Sequence, residues 1–277
     1  MTDRERDYYM GGTEEEVMRL ELQAAALSEV IDQEIEALNI QSGMSILDAG
    51  CGSGAVTRRL ARKAHPAKVT GVDFDKLFLE NARSIADDEK IDNVEYEHGD
   101  IDNLTYPDES FDLTYCRLVL MHVKDTVETV KELKRVTKIG GFVALSDQDD
   151  DAAILHPYMP NMMGSWRKYG QWAKKMKMDR YIGKKLFLIL SQAGLEKIKI
   201  FPIPIYRTQE TPEQLKMFLS VPVQLVTESK EDLLKDGIIT EDEFDTGMKE
   251  VESFQSHPGA FVMNTYFLAI GHVPHED

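Results

Sequence analysis

Apolar residues recur at helical spacing through TEEEVMRLELQAAALSEVIDQEIEAL, residues 13–38, with Thr13 placed as an N-cap and Glu16 three residues on. That spacing predicts one or two helices. The pattern then changes to short apolar runs separated by helical stretches. Strands are expected at 45–49, 68–73, 94–97, 111–116 and 140–147, the last after a Gly-Gly turn. Helices are expected at 53–64, 75–86 and about 127–137. Strands separated by helices imply βαβ units, a mostly parallel sheet and right-handed crossovers with helices on both faces.

Past residue 147 the pattern loosens. QDDDAAILHPYMP, 148–160, is acidic and broken by prolines, and reads as a loop. Helices are expected at 161–178 and 182–193, and a sixth strand at 196–205, whose two prolines suit an edge position. Residues 211–256 read as helices with acidic faces, and AFVMNTYFLAIGHV, 260–273, as a long last strand. The expected layout is one domain over 1–277: a helical cap at 1–40, a Rossmann-like core at 41–205, a helical insertion or lid at 206–258 and the final strand at 259–277.

Composition narrows the function. A formal charge of −17 argues against a nucleic-acid partner, because phosphate binding needs a basic face. One segment, 166–185, carries eight Lys or Arg residues among aromatics, and its plain reading is a solvated helix face. Two cysteines cannot build a disulfide framework, which suits a reducing, cytoplasmic setting. No run approaches the roughly 20 apolar residues of a membrane span, and the charged start MTDRERDYYM has no apolar signal region.

Candidate chemistry concentrates in ILDAGCGSGAVTRRL, 46–60. An apolar run ends in an acid, glycines follow, and a helix begins. Gly50, Gly52 and Ala55 fit the dinucleotide pattern G-x-G-x-x-A, and Asp73 at the end of the second strand is placed for ribose hydroxyls. Asp48 chooses between ligands. A carboxylate beside the turn would repel an anionic pyrophosphate, whereas S-adenosylmethionine (SAM) brings a sulfonium and an ammonium. Asp100, in HGDI after the third strand, is placed to accept from an adenine amino group.

ILDAGCGSG, VTGVDFD, YEHGDI, FDLTYC and the Gly-Gly before strand five, in this order over about residues 44–147, resemble the motif set of class I SAM-dependent methyltransferases. DRYIGKKLFLILSQAGLEKIKI resembles the segment before strand six in small-molecule enzymes of the UbiE-like type. The resemblance implies a Rossmann-like, doubly wound, seven-stranded α/β sheet with an antiparallel last strand between strands five and six. It implies that Asp48, Ala49, Gly50, Cys51, Gly52 and Gly54 surround the methionine moiety, that Asp73 takes the ribose with Phe74 against the adenine, and that Asp100 and Ile101 meet the adenine edge. Cys116 and Arg117 would close the pocket, and Tyr9, Arg19 and Gln23 of the cap would touch the cofactor. Arg19 has a nearly equal alternative in an i,i+4 ion pair within its own helix, with Glu15 or in the neighbourhood of Gln23.

Methyl transfer needs positioning, desolvation and, for some acceptors, proton removal. His122, in LVLMHVKD, is the candidate general base or else a packed structural histidine. His156, Tyr158 and Trp166 fall where an acceptor is expected, with ordinary lid packing the plainer reading of each. Asp147, Asp149, Asp150 and Asp151 read as a solvated acidic loop, with a metal site or a preference for a cationic acceptor as sharper alternatives, and no metal is expected. The acceptor is expected to be a small molecule and the protein a monomer or homodimer. A non-catalytic SAM-binding protein and an NAD-dependent oxidoreductase are the other readings.

Overall fold

The computed structural model describes residues 13–275. The first helical stretch is two helices, α1 (Glu14–Ala26) and α2 (Ser28–Leu38). Thr13 caps α1 as expected, its Oγ1 accepting the Glu16 amide at 3.2 Å. The alternation that follows is β1 (Ile46–Ala49), α3 (Ala55–Ala64), β2 (Val69–Asp73), α4 (Lys76–Asp88), β3 (Val94–His98), β4 (Phe111–Arg117), α5 (Thr126–Val136) and β5 (Thr137–Gln148). Two of the helix starts in this alternation have a side-chain cap. Asp75 caps α4 by accepting the Leu77 and Phe78 amides, and Asp125 caps α5 through the Glu128 amide.

β3, β2, β1, β4 and β5 lie side by side in that order, and the pairs among them are parallel. Ile46, Leu47, Val69, Leu113 and Leu145 of these strands are buried, as parallel strands covered on both faces require. β5 begins three residues earlier than its apolar pattern suggests. The register with β4 jumps from Phe111↔Thr137 to Leu113↔Phe142, so Gly140 and Gly141 form a bulge within the strand rather than a turn before it.

The rest of the chain adds β6 (Ile154–His156), α6 (Pro160–Lys175), α7 (Leu186–Gln192), β7 (Glu196–Thr208), α8 (Pro212–Glu228), α9 (Lys230–Lys235), α10 (Glu241–Ser256) and β8 (Phe261–His272). β8 pairs with β5, β6 and β7, so the last strand does enter between β5 and β7. Among the described residues the sheet has eight strands, where seven were expected. The addition is β6, three residues inside the stretch expected to be loop, which pair antiparallel with Phe261–Met263.

Contacts divide the chain into two compact units. One comprises Met1–Asp147, Gly183–Ile203 and Phe267–Asp277; the other comprises Gln148–Ile182 and Pro204–Tyr266. The second unit therefore draws on two stretches of chain. It has its own core, in which Met162, Trp166, Tyr169 and Trp172 of α6 pack with Leu215, Leu219, Leu233 and Phe254. Among the described residues no helix is long and apolar enough to cross a membrane.

Candidate functional site

At the end of β1 the chain turns sharply. The Gly50 and Cys51 amides both donate to the Val72 carbonyl of β2, at 2.8 and 3.0 Å. Gly50 has φ +78°, and a Cβ there would stand 2.4 Å from Val119 Cγ2, so only glycine fits. Gly52, at φ +53°, donates its amide to Asp73 Oδ2 at 2.8 Å. Gly54 is the N-cap of α3 and supplies no side-chain cap, which leaves that helix end to backbone amides. Tyr96 of β3 reaches across Gly71 of β2, and its Oη donates to the Gly54 carbonyl at 3.4 Å. A side chain at Gly71 would collide with that ring and with Cys51 Sγ.

Two acids border the turn. Asp48 is buried, and its Oδ2 accepts from Thr57 Oγ1 of α3 at 2.6 Å. Asp73 is buried too, accepting the Gly52 amide and, through Oδ1, the Asp75 amide at 3.0 Å. These donors are all neutral. Burial pushes both carboxyls up from 3.8 to about 6, and for Asp48 the nearby Asp73 adds to the rise while Thr57 and Arg117 oppose it. Burial also pushes the Cys51 thiol well above its ordinary value, with both aspartates adding to the effect, so Cys51 is a turn residue and a poor nucleophile.

The end of β4 forms the next wall. Asp48 is register partner of Tyr115, and Arg117 of Ser146. Paired residues share a face and alternate along each strand. Asp48, Tyr115, Arg117 and Ser146 therefore lie on one face at the carboxyl end of the sheet, and Cys116 lies on the other. Glu34 of α2 meets this face. It is fully buried and accepts from Tyr115 Oη and Arg117 Nε, each at 2.8 Å, and from Ser146 Oγ. His122 stands half-buried at the end of a 3-10 turn, Leu120–His122, just after β4. Beyond β3, Asp100 Oδ1 accepts the Asp102 amide at 3.0 Å and Ile101 is buried. Phe74 is half-buried beside Asp73.

In α1 Arg19 does pair within its own helix, though with Glu16 three residues back rather than with Glu15 four residues back. Its guanidinium forks onto Glu16, with Nε to Oε2 at 2.7 Å and Nη2 to Oε1 at 2.6 Å, and Nη1 reaches Gln23 at 3.3 Å. Leu20 of the same helix carries its Cδ1 to 3.3 Å from where a Gly52 side chain would start, so α1 lies against the turn. Tyr9 falls outside the described residues.

The acidic stretch at the end of β5 is mostly buried, with Asp151 its exposed member. Asp147, Asp149 and Asp150 are buried, and Asp150 binds Arg180 in a two-point pair, Nε to Oδ2 at 2.6 Å and Nη2 to Oδ1 at 3.2 Å. Arg180 belongs to the basic segment read as an exposed face. Instead it is buried, its guanidinium 4.6 Å from the Trp166 ring centre and 5.6 Å from that of Tyr169. Among the described residues no cluster of three or more His, Cys, Asp or Glu could hold a metal ion.

Sequence reasoning missed Glu34, Thr57, Tyr96, Tyr115 and Ser146. Glu34 had a signal: it occupies the buried stripe Val30, Ile31, Glu34, Ile35, Leu38, where an acid demands a partner.

Residues 40–196 match the family described as "Methyltransferase domain". An uncharacterized methyltransferase of Schizosaccharomyces pombe is 36% identical over 118 residues, 40% of this chain and 42% of that protein. The match thus spans less than half of that relative's own length. The demethylmenaquinone methyltransferase of Staphylococcus saprophyticus is 26% identical over 179 residues, 60% of this chain and 76% of that protein. Among solved structures, the YcgJ protein of Bacillus subtilis shares the fold, with a TM-score of 0.58 and 18% identity over 91% of this chain and 99% of that one.

Proposed function

Because the chain belongs to the methyltransferase-domain family, we propose that it transfers a methyl group from SAM to a small-molecule acceptor by in-line displacement. The observation that carries this reading is the acid pair at the glycine turn. Asp48 and Asp73 are buried, held by neutral donors, and both raised to about 6. A cationic ligand relieves that cost, whereas a pyrophosphate would deepen it. The donor set therefore fits SAM. When bound, SAM supplies a methyl carbon activated by its sulfonium.

The chain's own residues bind and orient. Asp48, fixed by Thr57, faces the positive charge of the methionine moiety. Gly50 and Gly52 keep the wall free of side chains, so the backbone can approach the ligand closely. The Asp73 carboxylate is held by the Gly52, Asp75 and Phe74 amides, and its two oxygens have lone pairs beyond these for a ribose hydroxyl. Phe74, Asp100 and Ile101 form the adenine end, and Cys116, Arg117, Arg19 and Gln23 complete the proposed contact set. For an acceptor that must lose a proton, His122 is the candidate base.

A formal charge of −17 supports a small-molecule acceptor over a nucleic acid, and two cysteines support a cytoplasmic setting. The relative named demethylmenaquinone methyltransferase makes reduced quinones the first acceptors to try. The test is incubation with methyl-labelled SAM and a panel of quinols, amines, thiols and phenols. Label transfer to one of them supports the reading. Tight SAM binding with no transfer to any acceptor would favour a non-catalytic SAM-binding protein.

A further inference from the structure

Glu34 is a carboxylate with no access to solvent, and three groups converge on it. Tyr115 Oη and Arg117 Nε reach its Oε2, each at 2.8 Å, and Ser146 Oγ reaches its Oε1. The donors come from the ends of β4 and β5, while Glu34 itself comes from α2. Burying a charge this completely is costly, and the cost is met only where a counter-ion and further hydrogen bonds surround it. Arg117 is that counter-ion, with its side chain 8% exposed against 0% for Glu34.

Arg117 also stands on the same sheet face as Asp48. Asp48 pairs with Tyr115, and Arg117 is the next residue of β4 on that face. A guanidinium one pleat from the acid that faces a cationic ligand poses a problem. Left uncompensated, it would offset the charge of Asp48 and oppose a sulfonium. Glu34 pairs with that guanidinium through Nε and offsets its charge.

We infer that Glu34 is a positioning residue which neutralises Arg117 and draws it toward α2, so that Asp48 and Asp73 set the sign of the field at the glycine turn. This rests on the proposed SAM site. It makes the N-terminal helical segment a determinant of ligand charge selection. A purely structural tie between α2 and the sheet would stabilise the fold without regard to the charge of the ligand.

SAM and its demethylated product S-adenosylhomocysteine differ in one positive charge, so their affinity ratio reads the field directly. Equilibrium binding of both ligands to wild type, Glu34→Gln and Glu34→Asp separates the two roles. Loss of the Glu34 charge should lower the preference for SAM over the product roughly fivefold. Glu34→Asp keeps the charge and should hold the ratio within about twofold, even if it melts earlier. The double variant Glu34→Gln/Arg117→Gln removes both charges and should restore the wild-type ratio. Equal weakening of both ligands in Glu34→Gln, or a double variant no better than the single, overturns the inference. If Glu34→Gln does not fold, Arg117→Gln decides. Its ratio should rise above wild type, because the Glu34 charge is then uncompensated, and an unchanged or lower ratio overturns the inference. Wild-type protein that binds neither ligand overturns the proposed SAM site itself, whatever the variants do.

Discussion

Asp48 and Asp150 are both buried carboxylates, 3% and 8% exposed, yet they are held in opposite ways. Asp150 is gripped at two points by Arg180, whose guanidinium lies over Trp166 and Tyr169. Its charge is answered inside the fold. Asp48 accepts a hydrogen bond from the neutral Thr57 hydroxyl and feels Arg117 only at a distance, and its neighbour Asp73 accepts backbone amides. A buried acid with a cation in place is architecture. A buried acid with neutral donors at the rim of a glycine turn holds its counter-charge in reserve for a ligand.

The sharpest way to break that contrast is to remove each acid in turn. Asp150→Asn leaves Arg180 buried without its counter-ion and should cost about 3–5 kcal/mol of stability. On a chain of this size that lowers Tm by roughly 6–20 °C in a thermal melt. Asp48→Asn deletes a carboxylate that burial disfavours, so Tm should hold within roughly 2 °C. SAM affinity should instead fall roughly ten- to hundredfold, the worth of a hydrogen bond to a charged group, as read by calorimetric titration. Equal melting losses in both variants would erase the distinction.

A smaller effect comes from pH. Asp48 and Asp73 sit at about 6 in the folded chain against an ordinary 3.8. The ligand-free fold therefore binds extra protons between about pH 4 and 6, and their contribution to stability is lost as pH rises through that window. A cationic ligand requires the ionised acids, so its affinity moves the other way. SAM binding at pH 5 should be roughly tenfold weaker than at pH 7.5. A flat profile across this range would mean that these carboxyls are not the ligand's partners. The smallest effect belongs to Tyr96→Phe, which removes the hydrogen bond under Gly54. It should cost about 1 kcal/mol in denaturant unfolding, with SAM affinity changed less than by Asp48→Asn.

The parallel half of the sheet was legible because its signals are local. Each strand is an apolar run, the starts of α4 and α5 carry the caps Asp75 and Asp125, and the glycine turn with its two acids is contiguous in sequence or one βαβ unit apart. What escaped depends on distance along the chain. Glu34 finds Tyr115 and Ser146, 81 and 112 residues away, and no local pattern announces that pairing. Arg180 read as one more surface cation until Asp150, 30 residues earlier, came to lie against it. β6 escaped because its three residues between acids and prolines gain strand geometry only from Phe261–Met263 of β8. Arg19 engages Glu16 of its own helix, a pairing one position away from the Glu15 contact that the sequence suggested.

The most direct measurement is titration of the purified protein with SAM and with NAD at pH 7.5, followed by heat of binding and by Tm. Binding of SAM, a rise in Tm with SAM concentration and no response to NAD are the predicted result, because a ligand of the native state must stabilise it. Binding of NAD without SAM would contradict the account. It would mean that the turn holds a pyrophosphate in spite of Asp48.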